Sequence, residues 1–244
     1  MNAIVIIPAR YASTRLPGKP LLNKTGKPLI QHVVEAVKPA RKVQRVVVAT
    51  DDERIAAVVR AFGGDVVMTR ADHPCGTDRI DEAAAKLKLA DDDIVVNVQG
   101  DEPDMPAECV DKLVELLAGS SASMATLATQ LPYEQADDAN KVKVVCDETG
   151  RALYFSRSHI PFDRDKTGAT KYLLHLGIYA YRVAFLHHFA ALPPTPAEKS
   201  EKLEQLRALE HGYEILVAVV QYHGCGIDTP ADYEAFVKRQ KPRA

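Results

Sequence analysis

Four short apolar runs, rich in Val and Ile, punctuate the first hundred positions: Ala3–Pro8, Arg45–Thr50, Asp65–Thr69 and Ile94–Gln99. Helical apolar spacing fills the intervals, over Pro28–Val37, Ile55–Phe62 and Thr77–Leu87, with a further helix over Pro106–Leu117. Short β-branched runs of this kind read as strands covered on both faces. Asp51 or Asp52 can cap the second helix, and Gly63-Gly64 closes it. The resulting βαβαβαβα order leaves few arrangements, because parallel strands must be joined by right-handed crossovers. An α/β fold with a mostly parallel central sheet is therefore expected.

After about residue 123 the pattern changes. Ser123–Thr129, Lys141–Cys146 and Ala152–Ser156 read as strands without helices between them, and Asp147-Glu148-Thr149-Gly150 is a turn. Leu176–Tyr181 and Ile215–Val220 read as two further strands. Thr195-Pro196-Ala197-Glu198 has the form of a capping box and opens a helix expected to end near Gly212. Thr229-Pro230 opens the last helix. We expect one domain over 1–244, with about 123–195 as a smaller antiparallel subregion laid over or beside the parallel sheet.

The first strand opens onto Ala9-Arg10-Tyr11-Ala12-Ser13-Thr14-Arg15-Leu16-Pro17-Gly18-Lys19-Pro20. Helix is excluded there, because two prolines bracket a glycine and restrict their predecessors. Arg10, Arg15 and Lys19 thus lie on a constrained loop at the carboxyl end of a central strand, where open α/β sheets bind ligands. Three cations on one short loop suit a polyanion such as a triphosphate. Asp101, in Gln99-Gly100-Asp101-Glu102-Pro103, follows the fourth strand on a glycine turn and is placed to hold Mg²⁺ beside phosphates. Asp228 is a candidate second ligand, since Thr229 can cap the last helix in its place; it is equally an aspartate favoured by the helix dipole. Gly76-Thr77-Asp78-Arg79 stands at a helix mouth and could offer N–H groups and a hydroxyl.

Several classes are disfavoured. The net charge of -2 gives no basic face for nucleic acid. The four cysteines, Cys75, Cys109, Cys146 and Cys225, are scattered without a Cys-x-x-Cys pair, as reduced thiols would be. No Gly-x-Gly-x-x-Gly follows the first strand, Gly26-Lys27 runs into Pro28 rather than ending a P-loop, and neither His-Glu-x-x-His nor Gly-x-Ser-x-Gly occurs. With no leader-like start and no apolar stretch approaching about 18 residues, a soluble cytoplasmic protein without membrane insertion is expected.

Taken in order, Ile7–Lys19, Val48–Asp51, Gly76–Arg79, Asn97–Pro103, Ala152–Arg157, His175–Tyr179, Leu203–Arg207 and Val219–Pro230 resemble the 3-deoxy-manno-octulosonate (KDO) cytidylyltransferases. The resemblance spans almost the whole chain. It implies a Rossmann-like nucleotidyltransferase that joins CTP and KDO into CMP-KDO for lipopolysaccharide synthesis, releasing pyrophosphate, with Mg²⁺ as cofactor. It further implies that Arg10, Arg15 and Lys19 hold the triphosphate with Ser13 near the nucleotide, and that Arg79 and Gln99 contact the cytidine and its surroundings. Lys19, Asp101 and Asp228 would form the catalytic set, the two aspartates being the metal ligands. Arg157, His175, Tyr179, Glu204 and Gln205 match the family's sugar-binding positions. Its members are typically homodimers that meet through the antiparallel region. An 8-amino-KDO or sialic acid acceptor, or a nucleotide binder without turnover, are the rival readings; the paired Asp101 and Asp228 argue against the last.

Overall fold

Val5, Ile6, Ile7, Val47, Val48, Val95 and Val96 have no exposed surface, as β-branched strands covered on both faces require. The computed structural model describes residues 1–12 and 16–240. Its parallel half contains β1 (Ala3–Ala9), β2 (Arg45–Thr50), β3 (Asp65–Met68) and β4 (Ile94–Asn97). These alternate with α1 (Leu29–Val37), α2 (Glu53–Ala61), α3 (Gly76–Lys86) and α4 (Ala107–Ala118). Asp52 caps α2 by accepting the Arg54 N–H at 2.9 Å. The later elements are β5 (Met124–Leu131), β6 (Lys143–Cys146), β7 (Ala152–Ser156), β8 (Tyr172–Arg182) and β9 (Ile215–Val219), with α5 (Val183–Ala191), α6 (Pro196–Glu201), α7 (Gln205–Glu210) and α8 (Pro230–Gln240).

The strand order is β3-β2-β1-β4-β8-β5-β9. β1, β2, β3 and β4 are mutually parallel, whereas β8 runs antiparallel to both β4 and β5. The chain moves outward from β1 to β3 and then returns to place β4 on the other side of β1. That reversal opens a crevice above the carboxyl ends of β1 and β4. Side-chain alternation divides the core. Val5, Ile7 and Val96 meet α1 and α4 on one face, while Ile4, Ile6 and Val95 meet α3 and α5 on the other.

Three features differ from the sequence expectation. The antiparallel strands form no separate layer over the parallel sheet: β8 and β5 lie beside β4 and continue the sheet, and the β6–β7 ribbon branches off, through Lys143 opposite Leu174. α5 follows β8 directly, with no glycine or proline between strand and helix to announce it. The expected helix from Pro196 to near Gly212 is two short helices, broken at Lys202, whose φ of 55° is left-handed. Glu198 folds them together by receiving Arg207 Nε at 2.9 Å and Nη2 at 2.6 Å, while Leu203 and Leu206 turn into the core. A paired, half-enclosed Arg–carboxylate fork and two buried leucines outweigh the strain of one left-handed residue.

Candidate active site

Arg10, Lys19, Arg79, Gln99, Asp101 and Asp228 all line one polar cleft of about 270 Å³ above β1 and β4. Ser13 and Arg15 lie outside the described residues. The base of the basic loop is closed by Tyr11, whose carbonyl accepts the Gly18 N–H at 3.1 Å. The Arg54 guanidinium lies 3.4 Å from the centre of the Tyr11 ring. Gly18 is left-handed at φ 67°, and a Cβ there would stand 3.2 Å from that ring, so both the turn and the packing demand glycine. Gly100 serves differently: a Cβ would meet the Pro8 carbonyl oxygen at 2.9 Å. Its absence lets the turn carrying Asp101 lie directly against β1.

Lys19 joins the two ends of the chain. Its Nζ donates to Asp101 Oδ2 at 2.7 Å and to the Ile227 carbonyl at 2.8 Å, and lies 3.5 Å from Asp228 Oδ1. The Ile227 N–H also donates to the Asp101 carbonyl at 2.9 Å. Two carboxylates far apart in sequence are thereby gathered around one cation. Arg79 is nearly buried in the cleft wall, with Nη1 2.5 Å from Thr69 Oγ1 and 3.2 Å from Asp51 Oδ1.

A second group of predicted residues surrounds the break between α6 and α7. Glu204 accepts from Thr77 Oγ1 at 2.6 Å and lies 3.1 Å from the Cys75 thiol. Cys75 itself lines the cleft, so this contact links the two regions. Burial, reinforced by Glu204, raises the Cys75 thiol well above its ordinary value and keeps it protonated. Gln205 is 4% exposed, and its Nε2 has no hydrogen-bond partner, a costly state for a buried donor. Arg157 approaches from β7: its Nε donates to the Glu201 carbonyl at 2.7 Å and its Nη1 to the Ala139 carbonyl at 3.0 Å. The wholly buried Lys143 fixes the same residue by donating to the Arg157 carbonyl at 2.6 Å. On β8, the His175 ring lies 4.9 Å from Phe155 and 5.4 Å from Tyr179. Burial lowers the His175 pKa to about 3, so the ring is neutral at pH 7. Burial, then the field of Glu204, raises the Tyr179 phenol far above its usual range.

A family model described as "Cytidylyltransferase" matches residues 4–215. A 3-deoxy-manno-octulosonate cytidylyltransferase from Syntrophobacter fumaroxidans (strain DSM 10017 / MPOB) is 53% identical over 242 residues, covering 97% of this chain and 96% of its own. The chain belongs to this family of cytidylyltransferases. A solved CMP:2-keto-3-deoxy-manno-octonic acid synthetase complexed with CTP is 44% identical, with a TM-score of 0.93 and 98% of each chain covered. Fold alone is shared with two more distant structures, each 18% identical. One is a cytidylyltransferase from Leptospira borgpetersenii serovar Hardjo-bovis (strain JB197), at a TM-score of 0.64 over 97% of this chain and 85% of that one. The other is a 4-diphosphocytidyl-2C-methyl-D-erythritol synthase, at 0.65 over 97% of each.

As a cytidylyltransferase, the chain has a donor set suited to a hard divalent ion. Among the described residues no group of three or more His, Cys, Asp or Glu side chains is arranged to hold a metal. Asp101 and Asp228 offer carboxylate oxygens only, and a Lys19 ammonium already sits comfortably between them. Mg²⁺ is commonly held by one or two carboxylates together with substrate phosphates and water, so these residues fit it.

Sequence reasoning passed over Glu102 and His73. Burial, with the fields of Asp101, Asp104 and Asp228, raises the Glu102 pKa to about 7 against the opposing hydrogen bond from Tyr222 at 2.7 Å. His73 lines the cleft and pairs with Glu82. Glu102 is adjacent to Asp101 on the same glycine turn, and that adjacency is a signal visible in the sequence. The partner of His73 arrives from α3 and leaves no local sign.

Proposed function

We propose that this chain transfers CMP from CTP to KDO, forming CMP-KDO and pyrophosphate for lipopolysaccharide synthesis, with Mg²⁺ held by Asp101 and Asp228. The observation that carries the reading is the meeting of Asp101, Asp228 and Lys19 in a cleft also lined by Arg10. A bound Mg²⁺ supplies charge neutralisation to the phosphates and to the departing pyrophosphate. Arg10 and Lys19, with Arg15, receive the triphosphate and hold its α-phosphate toward the acceptor. Gln99 offers an amide to the nucleoside, and Arg79, braced by Asp51 and Thr69, shapes the wall behind it. At the acceptor side Arg157 meets the sugar carboxylate, while Glu204 and the free Gln205 amide take hydroxyls. His175, neutral at pH 7 and held with Nε2 3.0 Å from Thr126 Oγ1, is a positioning group rather than a proton acceptor in the step. Orientation of the two substrates in neighbouring sites supplies much of the acceleration.

The enzyme acts in the cytoplasm as a homodimer on this reading. The support for a dimer is the exposure of Leu153, Tyr154 and Phe162, at 60%, 39% and 77%, on β7 and the loop after it. Large apolar side chains left exposed along one ribbon and the loop after it suit burial against a second copy. No helix among the described residues is long and apolar enough to cross a membrane. Sedimentation of the wild type and of Leu153→Glu tests the dimer; a monomeric wild type refutes it. The reaction is tested by pyrophosphate release with CTP and Mg²⁺, offering KDO, 8-amino-KDO and N-acetylneuraminate. Turnover with KDO in preference to the others is expected. Preference for another acid transfers the acceptor assignment to that acid, and CTP binding without turnover favours a non-catalytic protein.

A further inference from the structure

β8 is irregular where the acceptor residues lie. Thr126 of β5 pairs with Tyr179, but the next residue, Leu127, pairs with Leu176, leaving Gly177 and Ile178 without partners on β5. Residues four apart on a regular strand stand about 13 Å apart, whereas the rings of His175 and Tyr179 are 5.4 Å apart. The bulge thus folds the strand and brings the two rings into contact. One fully buried side chain secures it. Thr126 Oγ1 lies 2.7 Å from the Ile178 carbonyl, 3.1 Å from the Leu176 carbonyl and 3.0 Å from His175 Nε2.

A threonine hydroxyl has one proton and two lone pairs. Carbonyl oxygens only accept; with the proton on the nearer one, that of Ile178 at 2.7 Å, the lone pair facing His175 receives a hydrogen from Nε2. Because the ring is neutral, Nδ1 then carries no proton. The geometry points to Thr126 as a positioning residue of the acceptor site: it pins the bulge that joins His175 to Tyr179 and fixes His175 as the Nε2–H tautomer, with Nδ1 an acceptor for a sugar hydroxyl. This inference rests on the acceptor-site reading of His175.

The test combines ¹⁵N NMR of the histidine rings with steady-state kinetics of the full chain, using KDO and CTP as probes. In the wild type we expect His175 to show a protonated Nε2 and a bare Nδ1. Thr126→Val should lose that single-tautomer signature and raise the KM for KDO about tenfold, the scale of one hydrogen bond, with the KM for CTP unchanged. Thr126→Ser, which keeps the hydroxyl, should restore both. A protonated Nδ1 in the wild type overturns the inference without touching the acceptor-site reading, and needs no variant to fold. A Thr126→Ser enzyme that behaves like Thr126→Val also overturns it. An unchanged KDO KM in His175→Ala instead overturns the acceptor-site reading, and with it the role of Nδ1 toward the sugar.

Discussion

The cleft proposed for the nucleotide and the region proposed for the acceptor meet at Cys75, yet they are built by different means. The cleft is made of loops at the ends of parallel strands, and its two carboxylates keep solvent access: Asp101 is 30% exposed and Asp228 49%. The acceptor region is made of a bulged antiparallel strand and a broken helix, with His175 and Gln205 buried, His175 engaged by Thr126 and the Gln205 amide left without a partner. Open charges can exchange partners at small cost, as binding and release of a triphosphate require. Enclosed polar groups hold one geometry, since any unsatisfied one is penalised. Recognition of a polyanion and discrimination among sugars call for these two kinds of construction.

Four perturbations separate the regions. Asp101→Asn should lower turnover by roughly 10²–10³-fold, the loss expected when one electrostatic stabiliser is removed, with Tm nearly unchanged because the turn is open. Near-normal turnover would remove Asp101 from the reaction centre. Glu204→Gln should act only on the acceptor, raising its KM about tenfold or more through the loss of a charged hydrogen bond; an equal rise in the KM for CTP would erase the distinction between the regions.

The third perturbation is acid. His175 is held near a pKa of about 3 in the fold by burial, against 6.5 unfolded. Above pH 6.5 both states are neutral and nothing is lost. Below it only the unfolded chain takes the proton, so stability falls by up to about 1.4 kcal/mol per pH unit. Tm measured from about pH 7 to about pH 5 should therefore decline, and the slope should flatten in His175→Gln; an unaltered slope would show that the ring is not protected from protons. The smallest effect is expected from Gly18→Ala, which places a side chain at positive φ and costs about 1–2 kcal/mol. It should lower Tm by a few degrees and raise the KM for CTP but not for the acceptor.

The same division decided what could be read from the chain. β1 to β4, the basic loop and the Asp101 turn declare themselves locally, through β-branched runs, proline brackets and a glycine. Arg10, Lys19, Gln99 and Asp101 consequently fall into one cleft as their strand-end positions imply. The acceptor residues carry no local mark. Glu204 and Gln205 look like an ordinary helix surface until Lys202 breaks the helix and turns Leu203 and Leu206 inward. The nearness of His175 and Tyr179 depends on a bulge set by Thr126, a residue of a different strand. Long-range pairing of this kind leaves no periodicity, so only the resemblance to a family drew attention to those positions.

The helix α8 has a consequence for how the protein is made. Tyr233, Phe236 and Val237 pack with Leu16 and Leu29 near the basic loop, and the Tyr233 hydroxyl accepts the Lys24 N–H at 2.8 Å. Asp228 enters the cleft immediately before this helix. A chain emerging from the ribosome can assemble β1 to β4 early, since domains form from the N-terminus as synthesis proceeds. Its nucleotide cleft stays unfinished until the segment carrying Asp228 and α8 has been translated. Acquisition of activity therefore trails assembly of the sheet, and a premature stop before Asp228 yields a protein with most of its strands and no second carboxylate.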